Sequence, residues 1–206
     1  MSRLEELGVL AQIQPSLRCD KWLQSKCVDL RQILTPEIWG LKPEDDAFLH
    51  LAMLVYRLDE ESLEAFLKRL KIKRDDADDL RLLLDLRTAL PKVGRARRPS
   101  AVYCLLQPFP SRALATAWVA TGSGRQQGQL LRYQTEWRLV EPETTGDDLK
   151  TMGLRPSPLF GQLLGVLREA RLDGKVSTRE EEDAMLQKLL ADERKRGNVE
   201  AEEQAQ

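Results

Sequence analysis

Apolar residues recur three and four positions apart along most of the chain, the spacing that puts them on one face of an α-helix, and no stretch sustains the alternation of a strand. Leu4, Leu7 and Ala11 mark one face of a first helix, which Pro15 stops. Asp20 is placed to cap a second, with an apolar stripe of Leu23, Cys27, Leu30 and Leu34. Residues 44–58 are apolar on more than one face, through Phe48, Leu51, Leu54, Val55 and Leu58, which predicts a central helix. Leu63, Phe66, Leu67 and Leu70 then follow at i, i+3, i+4 and i+7, and a further helix runs through Leu80, Leu83, Leu84 and Leu90.

Residues 91–100 (PKVGRARRPS) combine two prolines, a glycine and four basic groups, and read as a loop or hinge. Pro99-Ser100 opens a short helix through Val102, Tyr103, Leu105 and Leu106, closed by Pro108 and Pro110. Ser111 suits the N-cap of a helix carrying Leu114 and Trp118. The turn Thr121-Gly122-Ser123-Gly124 precedes a helix with Leu130, Tyr133 and Trp137. Thr144 or Thr145 can cap a short helix from Asp147 to Met152, which Gly153 ends. After the tight connection Leu154-Arg155-Pro156-Ser157-Pro158, a long amphipathic helix carries Phe160, Leu163, Leu164, Leu167 and Ala170 until Asp173-Gly174. Ser177 and Thr178, three residues before Glu180 and Glu181, open a final helix. The fold class expected is all-α, an irregular multi-helix array of about ten short helices with short connections. Four segments follow: a helical body over 1–91, a basic hinge with connecting helices over 92–138, a C-terminal helical part over 139–196, and a disordered tail over 197–206.

Charge changes this picture more than composition does. The net charge is −1, which spread evenly would disfavour a polyanionic partner. It is uneven: residues 1–91 carry 14 basic and 17 acidic groups, whereas 92–138 carry eight basic groups (Lys92, Arg95, Arg97, Arg98, Arg112, Arg125, Arg132, Arg138) against Glu136 alone. A local positive field of this kind steers a phosphate backbone. No apolar run approaches the roughly 18 residues of a membrane span, and the N-terminus lacks a signal-peptide pattern. An intracellular, cytoplasmic protein without a membrane partner is expected. Cys19, Cys27 and Cys104 have neither CxxC nor zinc-site spacing and read as small buried thiols.

A catalytic constellation is not legible. The single histidine, His50, lies within the most apolar helix, where packing is its expected role. The glycines at 122 and 124 lack the Lys-Ser/Thr pair of a phosphate loop. Asp75-Asp76 and Asp78-Asp79, like Asp45-Asp46, fall at helix starts, where acids favour the dipole, and read as solvated helix starts rather than a metal site.

A binding site is legible. A helix ending at Gly153, a tight turn and a new helix near Ser157 resembles the helix-hairpin-helix, with Lys150 and Arg155 beside amides that suit a phosphate; a plain corner of two packed helices fits the spacing equally. Pro156 and Pro158 donate no N–H, so the Ser157 amide and hydroxyl matter more. The aromatics Trp118, Tyr133 and Trp137, interleaved with the basic groups of 92–138, suit nucleic acid, although at helical spacing such residues more often belong to a core.

At these residues the chain resembles a known family. Thr145-Gly146-Asp147-Asp148-Leu149, Gly153-Leu154-Arg155-Pro156-Ser157-Pro158, Ala170-Arg171-Leu172-Asp173-Gly174-Lys175-Val176 and the glutamates at 180–182 look like the C-terminal helical part of bacterial tRNA nucleotidyltransferases (CCA-adding enzymes) and the related poly(A) polymerases. Pro99 to Leu106 resembles the helix before that region. Leu7-Gly8-Val9-Leu10 with Pro15-Ser16-Leu17-Arg18 resembles the start of the family's body. Ser157 stands where the family commonly has glycine.

The family's head, with its Gly-Gly-x-x-x-Arg-Asp loop and paired carboxylates for magnesium and CTP or ATP, has no counterpart in this sequence. The resemblance therefore implies a body and tail that hold tRNA or another structured RNA, inactive alone, without a cofactor of its own, and served by a catalytic head polypeptide. Such a chain would be a terminal fragment, an engineered piece, a split-gene product or a head-less paralogue. Phosphate contacts are expected from Arg95, Arg97, Arg98, Arg125, Arg132, Lys150, Arg155 and Ser157. The alternative is an interaction subunit or scaffold that docks a partner polypeptide.

Overall fold

The computed structural model describes residues 9–32 and 34–203, with side chains described through Ala191. Leu4, Leu7, Gly8 and residues 204–206, on which parts of the reading above fall, lie outside the described residues. Among those described there are twelve α-helices, one 3-10 turn and no strand, so the all-α expectation holds. The chain divides into two compact units. The first comprises residues 1–96 and 102–138, the second residues 97–101 and 139–206. Residues 92–138 thus form no body of their own.

The first unit holds α1 (Val9–Ile13), α2 (Lys21–Gln32), α3 (Pro36–Trp39), α4 (Asp45–Val55), α5 (Glu60–Leu70), α6 (Arg74–Arg95), α8 (Ser111–Ala120) and α9 (Gly124–Thr135). Helix α7 (Pro99–Leu106) begins in the second unit and ends in the first. The most enclosed helix is α8. Ala113 through Ala117, Val119 and Ala120 are all buried, and α2, α3, α4, α6 and α9 pack against it. Small side chains let these neighbours approach closely, and Thr116 satisfies its hydroxyl within the helix, donating to the Arg112 carbonyl at 2.8 Å. Helix α4, expected to be central, buries Phe48, Leu49, Ala52, Met53 and Val55, while Leu51 and Leu54 are only partly covered. Each fully buried side chain of the Leu or Phe class contributes roughly 1.5–3 kcal/mol.

Several local expectations hold. The Asp20 carboxylate accepts from the Leu23 amide at 3.1 Å and caps α2. In α5, Leu63, Phe66 and Leu67 are buried, although Leu70, in the last turn, is exposed. In α1 the buried residue is Leu10, whereas Ala11 is exposed. His50 has a packing role: its Nδ1 lies 2.9 Å from the Asp46 carbonyl oxygen, and its Nε2 is enclosed. Cys19 is buried and Cys27 half-buried, but Cys104 is exposed on α7.

The expected hinge at 91–100 is largely helical. Helix α6 continues through Pro91 to Arg95, leaving Ala96 to Arg98 as the connection. Proline removes one helical hydrogen bond, but burial of Leu90 and Val93 on either side holds the helix on course. The Gln126 side chain adds to this, donating to the Leu90 carbonyl at 3.1 Å. A Cβ on Gly94 would lie 3.2 Å from the Gln126 Cγ, so glycine is what admits that side chain. Ser111 is not the cap of α8. Pro110 holds that position, and the Ser111 hydroxyl instead accepts from Arg138 at 3.0 Å.

The acids at the starts of α4 and α6 also depart from expectation. The Arg112 guanidinium lies 2.8 Å from the Asp76 carboxylate, 2.6 Å from that of Asp79 and 3.7 Å from that of Asp45. It also covers the Phe48 ring, its Cζ 4.0 Å from the centroid. These three side chains are one-sixth to one-third exposed. Rather than a solvated fringe, they form a half-buried clamp joining α4, α6 and α8.

Removing the cation would leave three carboxylates facing one another. With their partial exposure discounted, Arg112→Met is expected to lower the unfolding free energy by about 2 kcal/mol in urea titrations. Adding Asp76→Asn and Asp79→Asn should recover most of that loss; no recovery would mean that packing on Phe48, not charge, dominates.

Candidate nucleic-acid interface

In the first unit, α9 lies along the C-terminal end of α6. Gln126 reaches Leu90 as described, and the Gln129 side chain donates to the Ala96 carbonyl at 3.0 Å. Arg125, Gln129 and Arg132 are spaced at i, i+4 and i+7 and so share one face of α9. With Gln129 anchored at Ala96, that face borders the last turn of α6, which carries Lys92 and Arg95. Lys92, Arg95, Arg125 and Arg132 are exposed, and their side chains have no hydrogen-bond or ion-pair partner among the described residues. The structure therefore gathers three of the eight predicted contacts, Arg95, Arg125 and Arg132, around one helix junction.

Two other cations of the basic segment are engaged. Arg112 belongs to the clamp, and Arg138 donates to Ser111 and, at 2.7 Å, to Gln134. The aromatics are core rather than a stacking platform. Trp118 packs on Trp39 with centroids 5.9 Å apart, Tyr133 on Tyr103 at 5.8 Å, and Trp137 lies against the same core.

The second unit comprises residues 97–101, α10 (Gly146–Thr151), α11 (Pro158–Leu172) and α12 (Arg179–Glu203). Helix α12 extends to Glu203, across most of the segment expected to be disordered. Arg97 and Arg98 are exposed in this unit, Arg98 lying 3.8 Å from the Asp173 carboxylate. Asp173 also accepts from the Ser100 amide at 3.0 Å and so serves the start of α7. The corner at 150–157 has the expected form. Gly153 sits at φ +84°, where a Cβ would be strained, and Leu154 donates to the Leu149 carbonyl at 3.2 Å. A buried cluster of Leu149, Leu163, Leu186 and Leu190 holds the corner by packing.

At the corner's surface, Lys150 pairs with Asp147 at 2.7 Å, while Arg155 is exposed and without a partner among the described residues. Ser157 is exposed and extended, and its hydroxyl caps no amide of α11.

No family model matches the chain. The A-adding tRNA nucleotidyltransferase of Geobacter sulfurreducens is 26% identical over 193 residues, 87% of this chain and 22% of that protein. A Thermotoga maritima CCA-adding enzyme complexed with tRNA superposes with a TM-score of 0.70 at 20% identity, over 93% of this chain and 46% of the other. A CCA-adding enzyme with CTP gives 0.67 at 22% identity, over 93% and 45%. This chain has the fold of part of the CCA-adding enzymes. The resemblance read from its motifs thus holds in sequence and in fold. The chain spans about a fifth of the length of that curated relative and less than half of these solved structures.

The magnesium that the resemblance assigns to a head does not fit the carboxylates present. Asp45, Asp76 and Asp79 converge on the Arg112 guanidinium, and the described residues contain no group of three or more His, Cys, Asp or Glu side chains arranged for a metal. No described helix is long and apolar enough to cross a membrane.

Within the CCA-type fold, the segment before α10 is fixed by a polar network invisible in the sequence. Glu182, fully buried on α12, accepts from the Thr144 amide and hydroxyl, both at 2.9 Å, and from the Glu143 amide at 3.2 Å. The Arg171 Nε lies 2.7 Å from the same carboxylate, a charge contact whose N–H is not aimed for a hydrogen bond. Burial pushes the Glu182 carboxyl up, but these donors outweigh it and hold it below its usual range. Thr145, not Thr144, caps α10, in a capping box with Asp148.

Asp148 accepts from the Arg179 guanidinium at 3.2 Å and from the Thr145 amide at 2.7 Å. Led by the arginine, these donors lower the carboxyl to about 2 from its ordinary 3.8. A depressed carboxylate stabilises the fold fully above its unfolded value and loses that contribution as pH falls through its folded value. Helix α10 is therefore expected to loosen between pH 4 and pH 2. Amide protection across residues 145–152, measured against the intrinsic exchange rate, should fall in that window, and Asp148→Asn should remove that fall while lowering protection at neutral pH.

Proposed function

We propose that this chain holds a folded RNA, with tRNA the expected one, by its phosphate backbone, and serves tRNA 3′-end processing together with a catalytic head of nucleotidyltransferase type. The observation that carries the reading is the junction of α6 and α9, where Lys92, Arg95, Arg125 and Arg132 stand exposed without internal partners. Cations held this way keep charge and donors free for an external anion, whereas Arg112 is neutralised by its carboxylates and Arg138 spends donors on Ser111 and Gln134. The likeness to an enzyme solved with tRNA supports the choice of RNA.

In the second unit, Arg97, Arg98, Lys150, Arg155 and Ser157 supply a further set of contacts. The Lys150–Asp147 pair is exposed on both sides, and such pairs are weak enough for a phosphate to displace the carboxylate. Arg98 is likewise largely exposed, and its contact with Asp173 is long. Ser157, with its hydroxyl unused by the helix, offers the small donor that the two prolines beside it lack. Magnesium and the incoming CTP or ATP would belong to the head. The chain's own task is to position the RNA.

Contacts to roughly five or more phosphates give a strong salt dependence, each releasing about 0.7–0.9 counterions. The purified chain is expected to bind tRNA at micromolar concentration, with affinity falling steeply as salt rises. Arg95→Glu, Arg97→Glu and Arg98→Glu together should weaken it by roughly a hundredfold at low salt. Filter binding or fluorescence titration reads both. Salt-independent binding, or none at micromolar protein, sinks the proposal; co-purification with a head-containing polypeptide in the absence of RNA affinity would favour the docking subunit instead.

A further inference from the structure

The run Lys68-Arg69-Leu70-Lys71-Ile72-Lys73-Arg74 places five cations in seven positions, directly before Asp75-Asp76-Ala77-Asp78-Asp79. In the sequence the two runs nearly cancel; in the fold they part. Asp76 and Asp79 turn to Arg112 on α8. Asp78 lies 2.8 Å from Arg81, whose guanidinium also takes both oxygens of Glu64 at 2.5 and 2.9 Å. The cations that neutralise these acids thus come mainly from outside the basic run.

The basic run is left in excess at the turn between α5 and α6. Lys68, Arg69, Lys71 and Lys73 are exposed, with no side-chain partner among the described residues. Arg74 is 92% exposed and touches only Asp78, at 3.8 Å. Of the acids that follow, Asp75 alone stays exposed without a partner among the described residues. Lys71 ends α5 at φ +51°, a left-handed conformation that costs a side-chain-bearing residue strain. That turn brings Lys68, Lys71 and Arg74 around one open cleft of about 360 Å³.

We infer that the α5–α6 turn is a second phosphate-contacting surface, through which the first unit grips the same folded RNA. This rests on the RNA reading above and adds a contact at the opposite end of α6 from the first. Arg74 and Arg95 are the terminal residues of that helix, about 31 Å apart at roughly 1.5 Å per residue. Buried Leu80, Leu83, Leu84, Leu86 and Leu90 hold the helix between them in the core. An RNA must be folded or long to touch both ends at once. The surface suits phosphates better than a protein partner, since its single exposed apolar residue, Leu70, is set among cations, and protein interfaces deplete charge at their centres.

The test is a salt titration of tRNA binding by the full chain carrying Lys68→Gln, Lys71→Gln and Arg74→Gln together. Loss of three phosphate contacts should make the slope of log affinity against log salt shallower by about two, and lower affinity roughly tenfold or more at low salt. The charge-keeping set Lys68→Arg, Lys71→Arg and Arg74→Lys should retain the parent slope, which separates charge from misfolding. An unchanged slope in the glutamine variant, while reversal of Arg95, Arg97 and Arg98 still weakens binding, overturns this second surface alone. Absence of tRNA binding by the unaltered chain overturns both readings.

Discussion

Five helices of the first unit meet one short helix, and that is possible only because α8 presents alanines on nearly every side. The distance between packed helices is set by the side chains at the contact, and the fully buried Ala113, Ala115 and Ala117 let α2, α4, α6 and α9 close on one axis. Much else in the unit follows from this. With α6 seated on α8, the Arg112 side chain at the start of α8 falls between the acidic starts of α4 and α6. With α9 seated on both, its Gln126 and Gln129 reach the carbonyls of Leu90 and Ala96, near and just past the end of α6. A larger residue at any of these alanines would push a helix outward and loosen the clamp and the α6–α9 junction together.

The same packing sorts charges that composition leaves mixed. Twelve of the chain's acids and arginines meet in three knots, around Arg112, Arg81 and Arg171–Glu182 with Arg179. What remains outside those knots is predominantly cationic along α6, at both of its ends. A protein of net charge −1 can therefore offer positive ground to a polyanion, because a phosphate responds to the field within about a Debye length and not to the total.

Periodicity made the helices legible because long aliphatic side chains carry the signal. Leu23, Leu63, Phe66, Leu80, Leu83 and Leu163 are buried where the pattern places them. The central helix was harder to see, since Ala and Thr are weak markers of burial and only Leu114 and Trp118 stood out in α8. Pro91 and Gly94 misled in the opposite direction. Both are breakers by local rule, yet burial of Leu90 and Val93 and the approach of Gln126 carry α6 past them. At the candidate interface, the exposure of Arg95, Arg125 and Arg132 was readable from their place on polar faces. The withdrawal of Arg112 from the positive field of 92–138 was not, because its partners lie 33 to 67 positions away, at Asp79, Asp76 and Asp45. Nor could the sequence show the segregation at the α5–α6 turn, where neighbouring charges of opposite sign point to different partners.

The second unit separates two meanings that a motif can carry. The residues that make its sequence recognisable are those that shape the chain. Thr145 and Asp148 close a capping box, Gly153 and Gly174 take left-handed turns, and Asp173 serves the first turn of α7 from 73 positions away. Glu182, within the glutamate run, is taken up by the segment at Glu143 and Thr144 and by Arg171. These side chains bond to the chain itself. The groups that face solvent, Lys150, Arg155 and Ser157, sit at exposed positions of the same stretch, and serine in place of the family's glycine leaves the corner intact. A strong motif here reports the scaffold, and the specificity of an RNA contact has to be sought in the exposed residues that the scaffold displays.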